Sequence, residues 1–254
     1  MSDPTPRLRM FAGPNGSGKS TLKAVLPKVL LGVYLNPDEI EQEIRRDGFL
    51  NLDSYGVRAT AGEVLSFFTG SSFLISAGYQ HQAGQLVFEA GRLVFFNVAV
   101  NSYFASVAVD FLRQKLLEQK ISFTLETVMS HRSKVDLLAQ AQRLGYQTYL
   151  YFVATDDPAI NISRVRNRVS QGGHAVPQEK IEGRYHRSLN LLMDAIRHSH
   201  RAYVFDNSTD AQNPSHIWLA EITDGQMLEL KTGQIPAWFK RAVLDKAGDK
   251  QEVL

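Results

Sequence analysis

The chain alternates short apolar runs with longer stretches whose apolar positions recur at helical spacing. Leu8–Ala12, Gly32–Asn36, Ile121–Leu125, Tyr146–Thr155 and Ala202–Asp206 are the short runs, and each predicts a core strand. Helices are predicted over Thr21–Leu26, from Pro37 with Asp38 and Glu39 beside the positive helix end, and over much of 93–119. Three more follow: Ser133 to Leu144, stopped by Gly145; one opened by Asp156-Asp157-Pro158; and Pro177 to about His200. In the last of these, Ile181, Tyr185, Leu192 and Ala195 form the core-facing stripe. Strands alternating with helices predict an α/β fold, a mostly parallel five-stranded sheet covered by helices on both faces.

Two regions depart from that rhythm. Residues 51–92 are rich in Gly, Ser and aromatics with mixed periodicity, and predict an inserted helical segment. Trp218–Leu230, around Asp224-Gly225, predicts a β-hairpin, and Ala237–Leu244 a terminal helix. The expected organisation is a core domain over 1–210 and a C-terminal hairpin-plus-helix appendage over 211–254.

Composition narrows the partners. The formal net charge is +2 over 254 residues without a basic tail, so nucleic acid is not the expected partner. Cysteine is absent, which excludes disulfides and thiolate metal sites and is compatible with a reducing cytoplasm, the expected location. Met1–Pro6 lacks the basic and apolar regions of a signal peptide. Leu93–Leu112 is apolar and long enough to suggest a membrane span, but Asn97, Asn101, Ser102, Ser106 and Asp110 interrupt it, so a buried helix is expected and no membrane association. Oligomeric state is not legible.

The sharpest chemical signal is Gly13-Pro14-Asn15-Gly16-Ser17-Gly18-Lys19-Ser20, a complete G-x-x-x-x-G-K-[ST] (Walker A) phosphate-binding loop between a predicted strand and helix. Closely spaced glycines let backbone N–H groups turn onto phosphate oxygens, and the following helix, entered through Thr21, adds its positive end. Lys19 is expected to bridge the β- and γ-phosphates and Ser20 to ligate Mg²⁺, so ATP with Mg²⁺ is the expected ligand.

Ligands of open parallel sheets bind at the carboxyl ends of strands. That rule gathers the phosphate loop, Asp38, Glu126-Thr127, Asp156-Asp157 and Asp206-Asn207-Ser208. Asp38 has two readings, a general base for an acceptor hydroxyl or a helix-start residue. Glu126 suits either a Mg²⁺-linked carboxylate or a substrate-hydroxyl acceptor. Arg164 and Arg168 share one helix face, with Arg166 pointing elsewhere; beyond Gly172-Gly173-His174, Lys180, Arg184 and Arg187 form a second stripe. Two such helices about a glycine hinge suit a lid closing on a triphosphate, and a solvated basic face is the alternative. No His-based zinc pattern occurs; His131 and His174 have two readings, a substrate contact or an ordinary surface residue.

With these residues in view, the chain resembles the zeta-toxin-like kinase family, in its chromosomal branch. The resemblance runs in order through Gly13–Thr21, Asn36–Ile40, Ala90–Arg92, Ser122–Thr127, Arg164–Val169, Gly172–Pro177, Arg184–Leu189 and Asp206–Ser208, covering most of residues 8–208. It implies a P-loop NTPase fold of kinase type and an ATP/Mg²⁺-dependent kinase. The implied acceptor is a hydroxyl of a nucleotide sugar such as UDP-N-acetylglucosamine, in a toxin–antitoxin pair with a small antitoxin protein as partner. By motif it implies Gly13, Asn15, Gly16, Ser17, Gly18, Lys19, Ser20 and Thr21 around the triphosphate, with Ser20 on Mg²⁺. Asp38 resembles the base, Glu126 and Thr127 the substrate-binding strand exit, and one of Arg164, Arg166 or Arg168 and one of Arg184 or Arg187 the lid arginines. Residues 51–89 are longer than the family connection leads one to expect, and leave the acceptor open. The competing function is an ATP-binding switch protein with weak ATPase activity that recruits a partner through residues 51–92. A transporter-type ATPase lacks its signature motif here.

Overall fold

The computed structural model describes residues 5–172, 175–209 and 216–248, so Gly173, His174 and residues 1–4, 210–215 and 249–254 lie outside the described residues. Among the described residues ten strands follow in chain order: β1 (Arg7–Ala12), β2 (Val33–Leu35), β3 (Phe49–Asn51), β4 (Val87–Glu89), β5 (Arg92–Val94), β6 (Phe123–Thr127), β7 (Gln147–Ala154), β8 (Arg201–Asp206), β9 (Ile217–Thr223) and β10 (Met227–Leu230). The chain divides into two compact units, one of Met1–Leu30 with Glu126–Leu254, the other Leu31–Leu125.

In the first unit β1 pairs parallel with β7, and β7 parallel with β8. Every second residue of these strands, Leu8, Met10, Leu150, Phe152, Ala202 and Val204, is fully buried. Helices Ser133–Arg143 and Gln178–Arg197 pack against β7. The stripe Ile181, Tyr185, Leu192 and Ala195 is buried as its spacing predicts. On the opposite face rings stand against one another across the strands, the fully buried Phe11 on Tyr151 at 4.7 Å and Tyr151 on Tyr203 at 5.0 Å.

The tail is built into this unit. β9 pairs antiparallel with β8 and β10 with β9, turning through Asp224 and Gly225, both at positive φ. Trp238, fully buried, donates from Nε1 to Asp206 Oδ1 at 2.7 Å. The predicted terminal helix is a short turn, Ala237–Phe239, followed by a π turn over Lys240–Leu244.

In the second unit β2 pairs parallel with β6. β6 runs to Thr127, so Glu126 and Thr127 are its last residues rather than lying beyond it. Helices Pro37–Asp47 and Ser102–Glu118 pack together. The helix predicted over 93–119 starts only at Ser102, because Asn101 accepts the N–H groups of Tyr103 and Phe104 and caps it there. Leu93 and its neighbours instead belong to β5, which pairs with β3 and β4 in a small antiparallel sheet. Residues 51–92 thus mix strand with three short helices, Ala61–Thr69, Ser72–Ser76 and Gln80–Ala83. Among the described residues no helix is long and apolar enough to cross a membrane.

Candidate functional site

β1 ends at Ala12 and the chain turns through the phosphate loop into the helix Lys19–Ala24. Gly13, Gly16 and Gly18 have φ of +142°, +73° and +99°, which side-chain-bearing residues rarely adopt. Space is a second reason for glycine. A Cβ on Gly13 would lie 2.0 Å from Val153 O, one on Gly16 2.7 Å from Asn161 O, and one on Gly18 2.2 Å from Asn207 Nδ2.

Side chains from outside the loop hold its carbonyls. Asn161 Nδ2 donates to Asn15 O at 2.7 Å and Asn207 Nδ2 to Ser17 O at 2.8 Å, while His216 Nε2 lies 3.0 Å from Gly18 O. Asn161 is itself fixed by the Thr155 hydroxyl on its Oδ1, and Tyr185 donates to Thr155 O. Burial lowers the pKa of His216, the Arg164 charge lowers it further, and the Gly18 carbonyl opposes both.

Lys19 is buried, and its ammonium donates to Gly13 O and Pro14 O, both at 2.9 Å. Ser20 Oγ donates to Glu126 Oε1 at 3.0 Å. This joins the start of the loop helix to the end of β6. Two adjacent ligands of an octahedral Mg²⁺ at about 2.1 Å stand about 3.0 Å apart, and hydroxyl and carboxylate oxygens are ligands that this ion accepts. The pair therefore fits Mg²⁺ with phosphate and water completing its shell. Among the described residues no group of three His, Asp or Glu could hold a metal by itself. Ser17 Oγ is buried and has no hydrogen-bond partner among the described residues, and Thr21 is exposed on the helix's first turn.

The predicted lid arginines separate into different environments. Arg164 is half-buried and donates to Asn207 O and Thr209 O, both at 2.8 Å, bracing the segment after β8; burial lowers its pKa while Asp206 opposes. Arg168 lies a turn further along the same helix, exposed. Arg184 is half-buried with Nη1 3.4 Å from Asn15 Oδ1, so its guanidinium lies at the phosphate loop. Arg187 is exposed, and Arg166 donates to Gln178. Thr127 Oγ1 accepts the N–H of Met129, a residue at φ +53°. Asp157 caps its helix through the N–H of Ala159, and Asp206 is committed to Trp238 and Ser208. His131 bonds Ser133 next to it.

In the second unit the cap of Pro37–Asp47 is Asn36, whose Oδ1 accepts the N–H of Asp38 at 2.9 Å. The Asp38 side chain is exposed, with no hydrogen bond or ion pair among the described residues. Asn36 thus makes the cap bond, while Asp38 sits with Glu39 in the first turn, as a helix-start residue would. Sequence reasoning missed Asn161 and His216. An Asn on the buried face beside Ile162 and Val165 was a readable signal for the first; none existed for the second.

The family model for zeta toxin matches residues 96–218, just under half of the chain; the match begins after the phosphate loop and takes in Glu126, Thr127 and both arginine helices. An uncharacterized protein of Haemophilus influenzae is 28% identical over 69 residues, which is 27% of this chain and 49% of that protein. The structure of AvrRxo1-ORF1:AvrRxo1-ORF2 with sulphate ions has a chain matching at TM-score 0.53 and 12% identity, over 90% of this chain and 62% of that one. The AvrRxo1-ORF1:-ORF2 structure with ATP matches at TM-score 0.52 and 13% identity, over 89% and 61%. This chain thus spans about half of the curated relative and less than two thirds of the AvrRxo1-ORF1:-ORF2 chains. A complete phosphate loop and an α/β fold shared with the AvrRxo1-ORF1:-ORF2 chains thus accompany a segment, residues 96–218, that is similar to zeta toxin.

Proposed function

We propose that the chain is an ATP-dependent kinase that transfers the γ-phosphoryl group to a hydroxyl of a nucleotide sugar such as UDP-N-acetylglucosamine. The observation that carries this reading is the Ser20–Glu126 pair at the mouth of a phosphate loop whose carbonyls are held from outside. A donor site of this kind binds a triphosphate, and Arg184 beside Asn15 suits charge that develops on the transferring group. Ser20 and Glu126 would hold Mg²⁺, which when bound offsets charge on the β- and γ-phosphate oxygens. Lys19 leaves the Gly13 and Pro14 carbonyls for phosphate oxygens, exchanging neutral acceptors for charged ones.

Asp38 is the proposed base. Its carboxylate is not used in capping, so it is available to take the proton of an acceptor hydroxyl as the new P–O bond forms and ADP leaves. Arg168 and Arg187, both exposed, are the proposed outer lid cations, and Thr127 the proposed acceptor contact beside Glu126. The proposed partner is a small antitoxin protein; the similar AvrRxo1-ORF1:-ORF2 structures pair two gene products, and one of them is with ATP. The proposed setting is the cytoplasm.

The test is incubation with ATP, Mg²⁺ and a panel of nucleotide sugars, followed by mass spectrometry. A single acceptor gains one phosphoryl group, and Asp38→Asn abolishes that gain while ATP binding is unchanged. Full transfer by Asp38→Asn removes the base assignment. ATP binding without transfer to any acceptor assigns the chain instead to a nucleotide-dependent switch.

A further inference from the structure

We propose that Asn161, Asn207 and His216 are positioning residues that pre-set the phosphate loop for a triphosphate, an inference that rests on the nucleotide-binding reading above. The peptide group is planar and trans, so the carbonyl of one residue and the N–H of the next point in opposite directions. Whatever holds a carbonyl outward therefore aims the following N–H inward. Asn161 holds Asn15 O at 2.7 Å and so sets the N–H of Gly16. Asn207 holds Ser17 O at 2.8 Å and sets the N–H of Gly18. His216 stands 3.0 Å from Gly18 O, which also accepts the N–H of Leu22, and so reinforces the direction of the Lys19 N–H.

Two further observations support this role. The N–H groups of Gly16 and Gly18 donate to nothing among the described residues, as groups reserved for a ligand would. The side chains of Asn207 and His216 and the backbone of Asn161 also come so close that they dictate the loop sequence. Asn207 Nδ2 and His216 Nε2 stand 2.2 Å and 3.0 Å from where a Cβ of Gly18 would be, and Asn161 O stands 2.7 Å from that of Gly16. Because a carbonyl only accepts, His216 must carry its proton on Nε2, in either charge state. The three residues come from three segments: the helix Pro158–Ser170, the exit of β8 and the entry to β9. The C-terminal hairpin is thus part of the donor site.

Pre-orienting backbone donors removes the reorganisation that phosphate binding would otherwise require. The test measures the Kd for ATP with a fluorescent ATP analogue, alongside Tm, in the full chain. Asn207→Asp keeps the shape but turns an acceptor toward the Ser17 carbonyl, and is expected to weaken binding about tenfold or more. His216→Phe removes the donor and is expected to weaken binding about threefold or more, and His216→Gln, which restores an N–H at the same reach, to recover it. Folded Asn207→Asp protein with wild-type affinity overturns the proposal. If Asn207→Asp does not fold, the His216 pair decides: equal affinity in both variants, whether unchanged or equally weakened, overturns it. Absence of ATP binding by the wild-type chain is a separate result that removes the nucleotide reading itself.

Discussion

Gly18→Ala should destabilise the first unit well beyond the ordinary effect of placing alanine at positive φ. At φ +99° an alanine is strained by about 1–2 kcal/mol. Its Cβ would lie 2.2 Å from Asn207 Nδ2, so the carboxamide must leave Ser17 O, its partner at 2.8 Å. Leaving a buried carbonyl unsatisfied adds about 1–3 kcal/mol. The total of about 2–5 kcal/mol corresponds to a fall in Tm of about 10 °C, at about 2–4 °C per kcal/mol for a chain of this size. Gly145→Ala is the control: it has φ +83° with nothing within 4 Å of the added Cβ, so it carries strain alone. The assay is thermal denaturation of both variants followed by ATP titration. Equal Tm shifts for the two, with ATP affinity retained by Gly18→Ala, would refute the close-clamp reasoning.

Other outcomes follow from the same contacts. Glu126→Gln keeps the size and the hydrogen-bonding oxygen beside Ser20 but removes the charge, and should raise the Mg²⁺ concentration for half-maximal activity about tenfold or more, as a magnesium titration would show. Arg184→Ala should lower kcat by about 10³-fold while changing Tm little, because its 3.4 Å contact with Asn15 is a weak structural tie; steady-state kinetics and thermal melting read the two effects separately. Glu63 in the second unit is held down to about 2, first by the hydrogen bond from Lys115 and then by Thr60. A carboxyl lowered in the folded state stabilises above its ordinary value of about 4.3, and that stabilisation is lost as pH falls toward about 2. Glu63→Gln should therefore flatten the fall of Tm over that acid range and leave a pH-independent loss above it.

The parallel strands, the helix Pro177–His200 and the phosphate loop were legible because each rests on local pattern: apolar runs, a 3.6-residue stripe and glycine spacing. The start of the helix at Ser102 was less so. Asn97 and Asn101 were read only as obstacles to a membrane span, although an Asn before an apolar helix is also a cap. Residues 51–92 resisted because strands of three residues and helices of four to nine carry too few positions to set a period. In the site, strand-exit reasoning picked out Glu126, and Ser20 now meets it. It did not separate Arg164, which braces backbone carbonyls, from Arg184, which reaches the loop, because a helix face does not reveal what lies opposite it. The clamps from Asn161 and His216 span 146 and 198 residues of sequence; the buried-face position of Asn161 is a local sign of a polar role but not of its partner, and His216 carries no such sign.

The central claim is phosphoryl transfer rather than hydrolysis, and phosphorus NMR of the chain with ATP, Mg²⁺ and UDP-N-acetylglucosamine tests it most directly. The account predicts ADP and a new sugar phosphomonoester appearing in equal amounts. ADP with inorganic phosphate and an unaltered nucleotide sugar would contradict it for this acceptor, and the same result across the nucleotide-sugar panel would contradict it altogether.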